Sequence, residues 1–206
     1  MAERSRAASA PANDSTVTKA DWEGQDISGQ TYTRVLFVDL DMTEVTNDGA
    51  TFTECTFRQA KLNCSVHTDA AFVNCTFIGC NFFDAKFTGC KLVGSTFDRC
   101  SFELMKVEGG NWSHVGMPGA DLRSATFTDA RMREADLTKA KLEGASLRGV
   151  DLSESSLFGA KLDGCDLRGS DLGAIDLDGV ELRGAIVTAQ QAVAIALALG
   201  LDVRAE

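Results

Sequence analysis

The sequence predicts a stacked-repeat solenoid in place of a globule, and three observations carry that prediction. An apolar residue recurs at each fifth position from Trp22 to Val187, through 34 positions with no slip in phase, and only Asn47 and His67 among them are not apolar. The position two before each of these centres is small or apolar throughout, apart from Gln25 and Gln30. The position two after each centre carries 15 of the 19 glycines. A period of five matches neither a helix nor a strand, and a fixed period is the mark of a repeat architecture. Each unit supplies two inward residues, one large and one small, and a corner that favours glycine for its backbone freedom.

The clearest stretch runs from Ala120 to Leu182, with units such as Ala120-Asp121-Leu122-Arg123-Ser124 and Ala140-Lys141-Leu142-Glu143-Gly144. This pattern resembles the pentapeptide-repeat family, whose unit is A(D/N)LXX, over about four-fifths of the chain. The resemblance implies an all-β solenoid: a right-handed quadrilateral β-helix of about eight coils, capped by a short C-terminal α-helix. With about four units per coil, positions about 20 apart stack as neighbours in a parallel sheet, about 4.8 Å per coil, giving a rod roughly 40 Å long. The expected organisation is a disordered tail over residues 1–20, the β-helix over 21–187, and a capping and dimerisation segment over 188–206.

Taken in order, the first residues are rich in Ala and Ser with mixed charge and lack the apolar centre of a signal peptide, which fits a cytoplasmic protein. The first coil holds the two polar residues at the small position, Gln25 and Gln30, as an end coil with water on one side would. Next, Phe37, Phe57, Phe77 and Phe97 lie on one column and predict a ladder of stacked rings. Asn47 and His67 fall on neighbouring coils of one face, with Cys64 close by; a metal would need more ligands than the sequence supplies there, so a buried, self-satisfied polar pair is expected. Cys55, Cys75, Cys80, Cys90, Cys100 and Cys165 occupy the small inward position and read as reduced core thiols, whereas Cys64 sits at an exposed corner.

The pattern is weakest from Val107 to Met117, and Pro118 predicts a bulge or a local change of turn type, because proline interrupts backbone pairing. The phase is kept across it, so no long loop is inserted. After it the centres become Leu and the small positions largely Ala. Thr188-Ala189-Gln190-Gln191 reads as a capping box, a helix follows over Ala192 to Leu199, and Gly200 is its stop. That helix is apolar nearly all round and must be covered on more than one side. One side can cap the rod, and a second copy of the chain is the simplest cover for the other. The expected dimer interface is Val193, Ile195, Leu197, Leu199, Leu201 and Val203, with a short strand at Leu201-Asp202-Val203.

The net charge of −10 excludes nucleic acid and anionic membrane as direct ligands, and no apolar run is long enough to span a bilayer. Two histidines, with no nucleophile elbow, phosphate loop or metal-ligand spacing, argue against an enzyme, a cofactor or a bound metal. The charge is clustered: residues 21–54 carry eight acids against Arg34, and residues 151–181 carry eight acids against Lys161 and Arg168.

The tail, with Gln191-Ala192-Val193-Ala194 and then Leu199-Gly200-Leu201, resembles that of the MfpA- and Qnr-type fluoroquinolone-resistance proteins. That resemblance implies a cytoplasmic homodimer, joined tail to tail, which mimics duplex DNA and binds DNA gyrase or topoisomerase IV, protecting it from quinolones or a peptide poison. Set against that expectation, the charge clusters and the 20-residue stacking give Asp136, Asp151, Asp166, Asp171 and Asp176 as the acidic surface for the partner. Duplex DNA carries a charge about every 1.7 Å, so about 24 over one protomer's length. Against a net charge of −10, the likeness must lie in local acidic rows. The alternative is a structural or scaffold repeat protein with another protein partner.

Overall fold

In the computed structural model, residues 12–172, 177 and 179–204 are described. Their strand pairings and bridges are all parallel and join residues 20 apart, from Ser15 with Val35 to Asp166 with Ile186. Four units of five therefore close one coil. The chain is a parallel β-solenoid with four sides and, among the described residues, a single helix, Ala189–Ala198, after its last coil. One face carries the five strands Ser15–Thr18, Val35–Val38, Thr56–Arg58, Thr76–Ile78 and Thr96–Asp98. A second carries six, from Thr46–Asp48 to Ser146–Arg148, and a third carries Thr31–Thr33, Thr51–Thr53 and Ala71–Val73. The fourth, on the Trp22 column, is held among the described residues by isolated bridges such as Asp21 to Asp41 and Asn81 to Ser101.

The period of five sets the core. Phe37, Phe57, Phe77 and Phe97 stack with centroids 4.9, 4.8 and 4.9 Å apart. Tyr32, Phe52 and Phe72 form a second ladder at 5.0 and 4.9 Å. The ladders meet edge-on, as between Phe52 and Phe57 at 5.5 Å and 62°, a favourable ring geometry. The small position does a second job when its side chain can donate. Ser95 and Ser170 hydroxyls each donate at 2.7 Å to the carbonyls of Phe72 and Leu147, one coil back, and the Cys75 thiol does so to Phe52 at 3.4 Å. Cys55, Cys75, Cys80, Cys90 and Cys165 are buried, Cys100 is half-buried and Cys64 is exposed, all as free thiols.

One expectation changes, and another is narrowed to one of its two alternatives. Ser15–Thr18, expected in the disordered tail, is a strand paired with Val35–Val38. The reason is the frame itself: Val17 lies five before Trp22 and packs against the core, so the repeats begin one unit earlier. The bulge expected at Pro118 is absent. Met117 still donates to the Asp136 carbonyl at 2.8 Å, and Ala120 closes a turn on the Met117 carbonyl at 3.2 Å. Proline is tolerated because the third residue of a turn unit keeps its N–H out of the ladder, and the second position of a turn suits its fixed φ. The change of turn type does occur: on the Phe37 face the strands end at Thr96–Asp98, and the Met117, Leu137 and Leu157 units are turns.

The interior polar pair is satisfied within the coil. The Asn47 amide nitrogen lies 3.0 Å from His67 Nδ1, and its oxygen accepts the Ala50 N–H at 3.0 Å. His67 Nε2 lies 3.0 Å from the Ser65 hydroxyl, which itself donates to the Leu62 carbonyl at 2.7 Å. The proton must therefore sit on Nε2, because Nδ1 accepts from the amide and the hydroxyl proton is already used. Burial pushes the His67 pKa down to about 3, so the ring is neutral.

Candidate protein-interaction surfaces

The acidic residues at the first position of each unit have a structural task. Their carboxylates accept the N–H two residues on: Asp21 from Glu23 at 3.0 Å, Asp136 from Thr138 at 3.0 Å, Asp151 from Ser153 at 3.2 Å and Asp166 from Arg168 at 3.2 Å. Asn81 and Asn111 do the same for Phe83 and Ser113. This side-chain turn satisfies the one N–H that the ladder leaves over, which explains why the unit calls for Asp or Asn at that place.

The structure stacks Asp151 against Asp171 through a backbone bridge, as the spacing requires, and puts Asp166 on the adjoining face. Asp136 bridges Ser156 on its own column, and Asp176 lies outside the described residues. Counter-ions sit among these acids. Arg168 grips Asp166 at 2.9 and 2.7 Å, with Arg148 at 3.8 Å, and this holds the Asp166 carboxyl down at about 2. Arg133 reaches Asp151 at 3.8 Å and Glu154 at 2.9 Å. The acidic rows are thus real in placement, but several acids are paired, which a count of charges along the chain does not reveal.

At the C-terminal end the capping box forms, with Gln191 N–H on the Thr188 hydroxyl at 3.3 Å and the Gln191 carbonyl oxygen accepting the Thr188 N–H at 2.8 Å. The same side chain also pins the helix to the rod. Its amide nitrogen donates to the carbonyls of Leu167 at 2.6 Å and Ser170 at 2.8 Å. The sequence showed the cap and missed the pin. Replacing Gln191 with Ala should cost about 2 kcal/mol, from several lost hydrogen bonds, and hydrogen exchange should show the helix amides losing protection while the coils keep theirs.

Of the six apolar residues expected at a dimer interface, Val193, Leu197, Leu199, Leu201 and Val203 are 42–60% exposed. Ile195 is half-buried and turns toward the last coil, across a crevice of about 260 Å³ shared with Leu182, Val187 and Leu199. The short strand expected at Leu201–Val203 is absent, because no edge among the described residues pairs with it. Among the described residues no group of His, Cys, Asp and Glu is placed to hold a metal ion, and no helix is long and apolar enough to cross a membrane.

Comparison with known families agrees with this geometry. The pentapeptide repeat region matches residues 50–127 and 80–157, and pentapeptide repeats in eight copies match residues 155–188. The chain belongs to the pentapeptide-repeat family. Among solved structures of such proteins, a trypsin-treated variant of QnrB1, a plasmid-mediated fluoroquinolone resistance protein, has a TM-score of 0.75 at 21% identity, covering 94% of this chain and 97% of that one. Full-length QnrB1 has a TM-score of 0.56 at 20% identity, over 91% and 98%. HetL from the cyanobacterium Nostoc, a pentapeptide repeat protein involved in heterocyst differentiation regulation, has a TM-score of 0.63 at 25% identity, over 85% of each chain. No curated protein matches the sequence. The QnrB1 likeness establishes the fold of this pentapeptide-repeat protein.

Proposed function

We propose that this pentapeptide-repeat protein is a non-enzymatic, DNA-mimicking binder of DNA gyrase or topoisomerase IV that protects the enzyme from quinolones or a peptide poison in the cytoplasm. The observation that carries the reading is the exposure of Val193, Leu197, Leu199, Leu201 and Val203 in the C-terminal segment that follows the acidic stretch 151–181. An apolar end of this kind asks for cover. A second copy there would join two acidic segments into one longer acidic centre. The Asp151–Asp171 column, with Asp136 and Asp166 on neighbouring faces, would then present carboxylates where a duplex presents phosphates.

Asparagine tests this without breaking the rod, because Asn81 and Asn111 already accept the same turn N–H as the aspartates do. Replacing Asp151, Asp171 and Asp176 together with Asn should weaken gyrase binding about tenfold or more, roughly 1.4 kcal/mol, with the thermal midpoint nearly unchanged. Unchanged affinity would discard the acidic surface as the contact. One observation favours a second reading: Arg133, Arg148 and Arg168 already pair with these acids, so the rod could instead bind another protein, as a regulatory scaffold.

A further inference from the structure

The middle of the rod holds a residue that the fold does not favour. Of 17 non-glycine residues with positive φ, Leu104 (φ 59°) is the single aliphatic one among the described residues. Left-handed backbone crowds a Cβ, and Asn or Asp offsets that crowding with a local hydrogen bond that Leu cannot make. Leu104 is also 48% exposed, so burial does not compensate. Phe83, one coil earlier on the same face, is 38% exposed.

A groove of about 630 Å³ runs across this face along the Ser101–Leu104 turn. Phe83 forms one wall, and the ion pair of Arg123 with Asp121, at 2.6 Å, forms the other. Glu103 stands in the groove without an ion pair among the described residues. The groove therefore combines an apolar wall, a strained apolar lip and one uncompensated carboxylate. By the order of units around the coil, it lies on the face opposite the Asp151–Asp171 column.

We infer that this groove docks a protein segment that places one apolar side chain between Phe83 and Leu104 and a Lys or Arg against Glu103. The inference rests on the topoisomerase reading for its partner, so the segment belongs to the gyrase or topoisomerase IV surface. An enzyme that closes around a rod as around a duplex touches opposite faces, and this face meets it by apolar contact where the other meets it by charge. Apolar anchors in a partly desolvated groove carry much of the affinity of such contacts.

The test compares wild type, Leu104→Asn and Glu103→Gln by thermal unfolding, sedimentation and binding to immobilised gyrase. Asp84 already occupies the same corner one coil earlier at φ 49°, and Asn74 the equivalent corner of the opposite face at φ 52°. Leu104→Asn should therefore raise the thermal midpoint by about 2–4 °C, yet weaken gyrase binding about tenfold. Glu103→Gln should weaken binding and flatten its salt dependence. Wild-type binding with an unchanged Leu104→Asn affinity would overturn the groove and leave the acidic surface standing. A lowered midpoint would make Leu104 structural and overturn it too. A loss of self-association in Leu104→Asn would assign the groove to a second copy, against the inference. A wild-type protein that binds no gyrase would remove the topoisomerase reading, and this contact with it.

Discussion

Replacing Phe77 with Ala is expected to cost about 3–5 kcal/mol, the largest single-residue effect in the rod. Phe77 is 1% exposed and stacks between Phe57 at 4.8 Å and Phe97 at 4.9 Å, while Phe72 and Phe82 meet it at 6.0 and 5.4 Å. The void left behind cannot close, because the strand ladders Thr56–Thr76 and Thr76–Thr96 hold the coil spacing on both sides. In a solenoid each coil touches only its neighbours, so the damage should be local. Urea unfolding should then split: the aromatic N-terminal coils melt first and the Leu- and Ala-filled coils after Pro118 persist. Thr76→Ala, on the outer side of the same strand, should change stability by less than about 0.5 kcal/mol. A Phe77→Ala protein within about 1 kcal/mol of wild type would refute the ladder as the main source of stability.

The second large effect is acid sensitivity centred on His67. Its pKa is about 3 in the fold, lowered by burial, against 6.5 for the free side chain. Between these values the unfolded chain binds a proton that the folded chain does not. Stability must therefore rise with pH across that window, by up to about 1.4 kcal/mol per pH unit. The stability is fully present above pH 6.5 and is lost as pH falls toward 3, a total on the order of 5 kcal/mol. Chemical denaturation at pH 4.5 and 6.5 isolates the histidine from most carboxylates. The double variant Asn47→Leu/His67→Phe, which extends the stack on Phe87 now made by His67 at 4.7 Å, should lose that slope. An equal slope in the variant would assign the acid sensitivity to other groups.

Much of the fold was legible because the constraint is one-dimensional. Once the frame from Trp22 to Val187 is found, a spacing of 20 places Phe57 on Phe77, Asn47 on His67 and Asp151 on Asp171, and the structure does so. The errors came where the frame meets local chemistry. Val17 was in phase, yet the Ala- and Ser-rich, mixed-charge stretch it belongs to made the strand look like tail. Pro118 looked disruptive until the hydrogen bonds showed that its place in the unit donates nothing to the ladder. The surface was less legible still. Gln191 reaches Leu167 and Ser170, more than 20 residues away, and no periodic rule predicts which carbonyls an end coil leaves for a side chain to cap. Asp166 and Arg168 are two apart on the chain, but their bidentate pairing depends on the turn between them.

The central claim, that the rod stands in for DNA at a type II topoisomerase, is tested most directly by a gyrase supercoiling assay with purified protein, with and without a quinolone. Rising protein should inhibit supercoiling and, with drug present, lower the yield of drug-stabilised breaks over the same concentrations. Neither effect, at concentrations well above that of the enzyme, would contradict the account and leave the scaffold reading in its place.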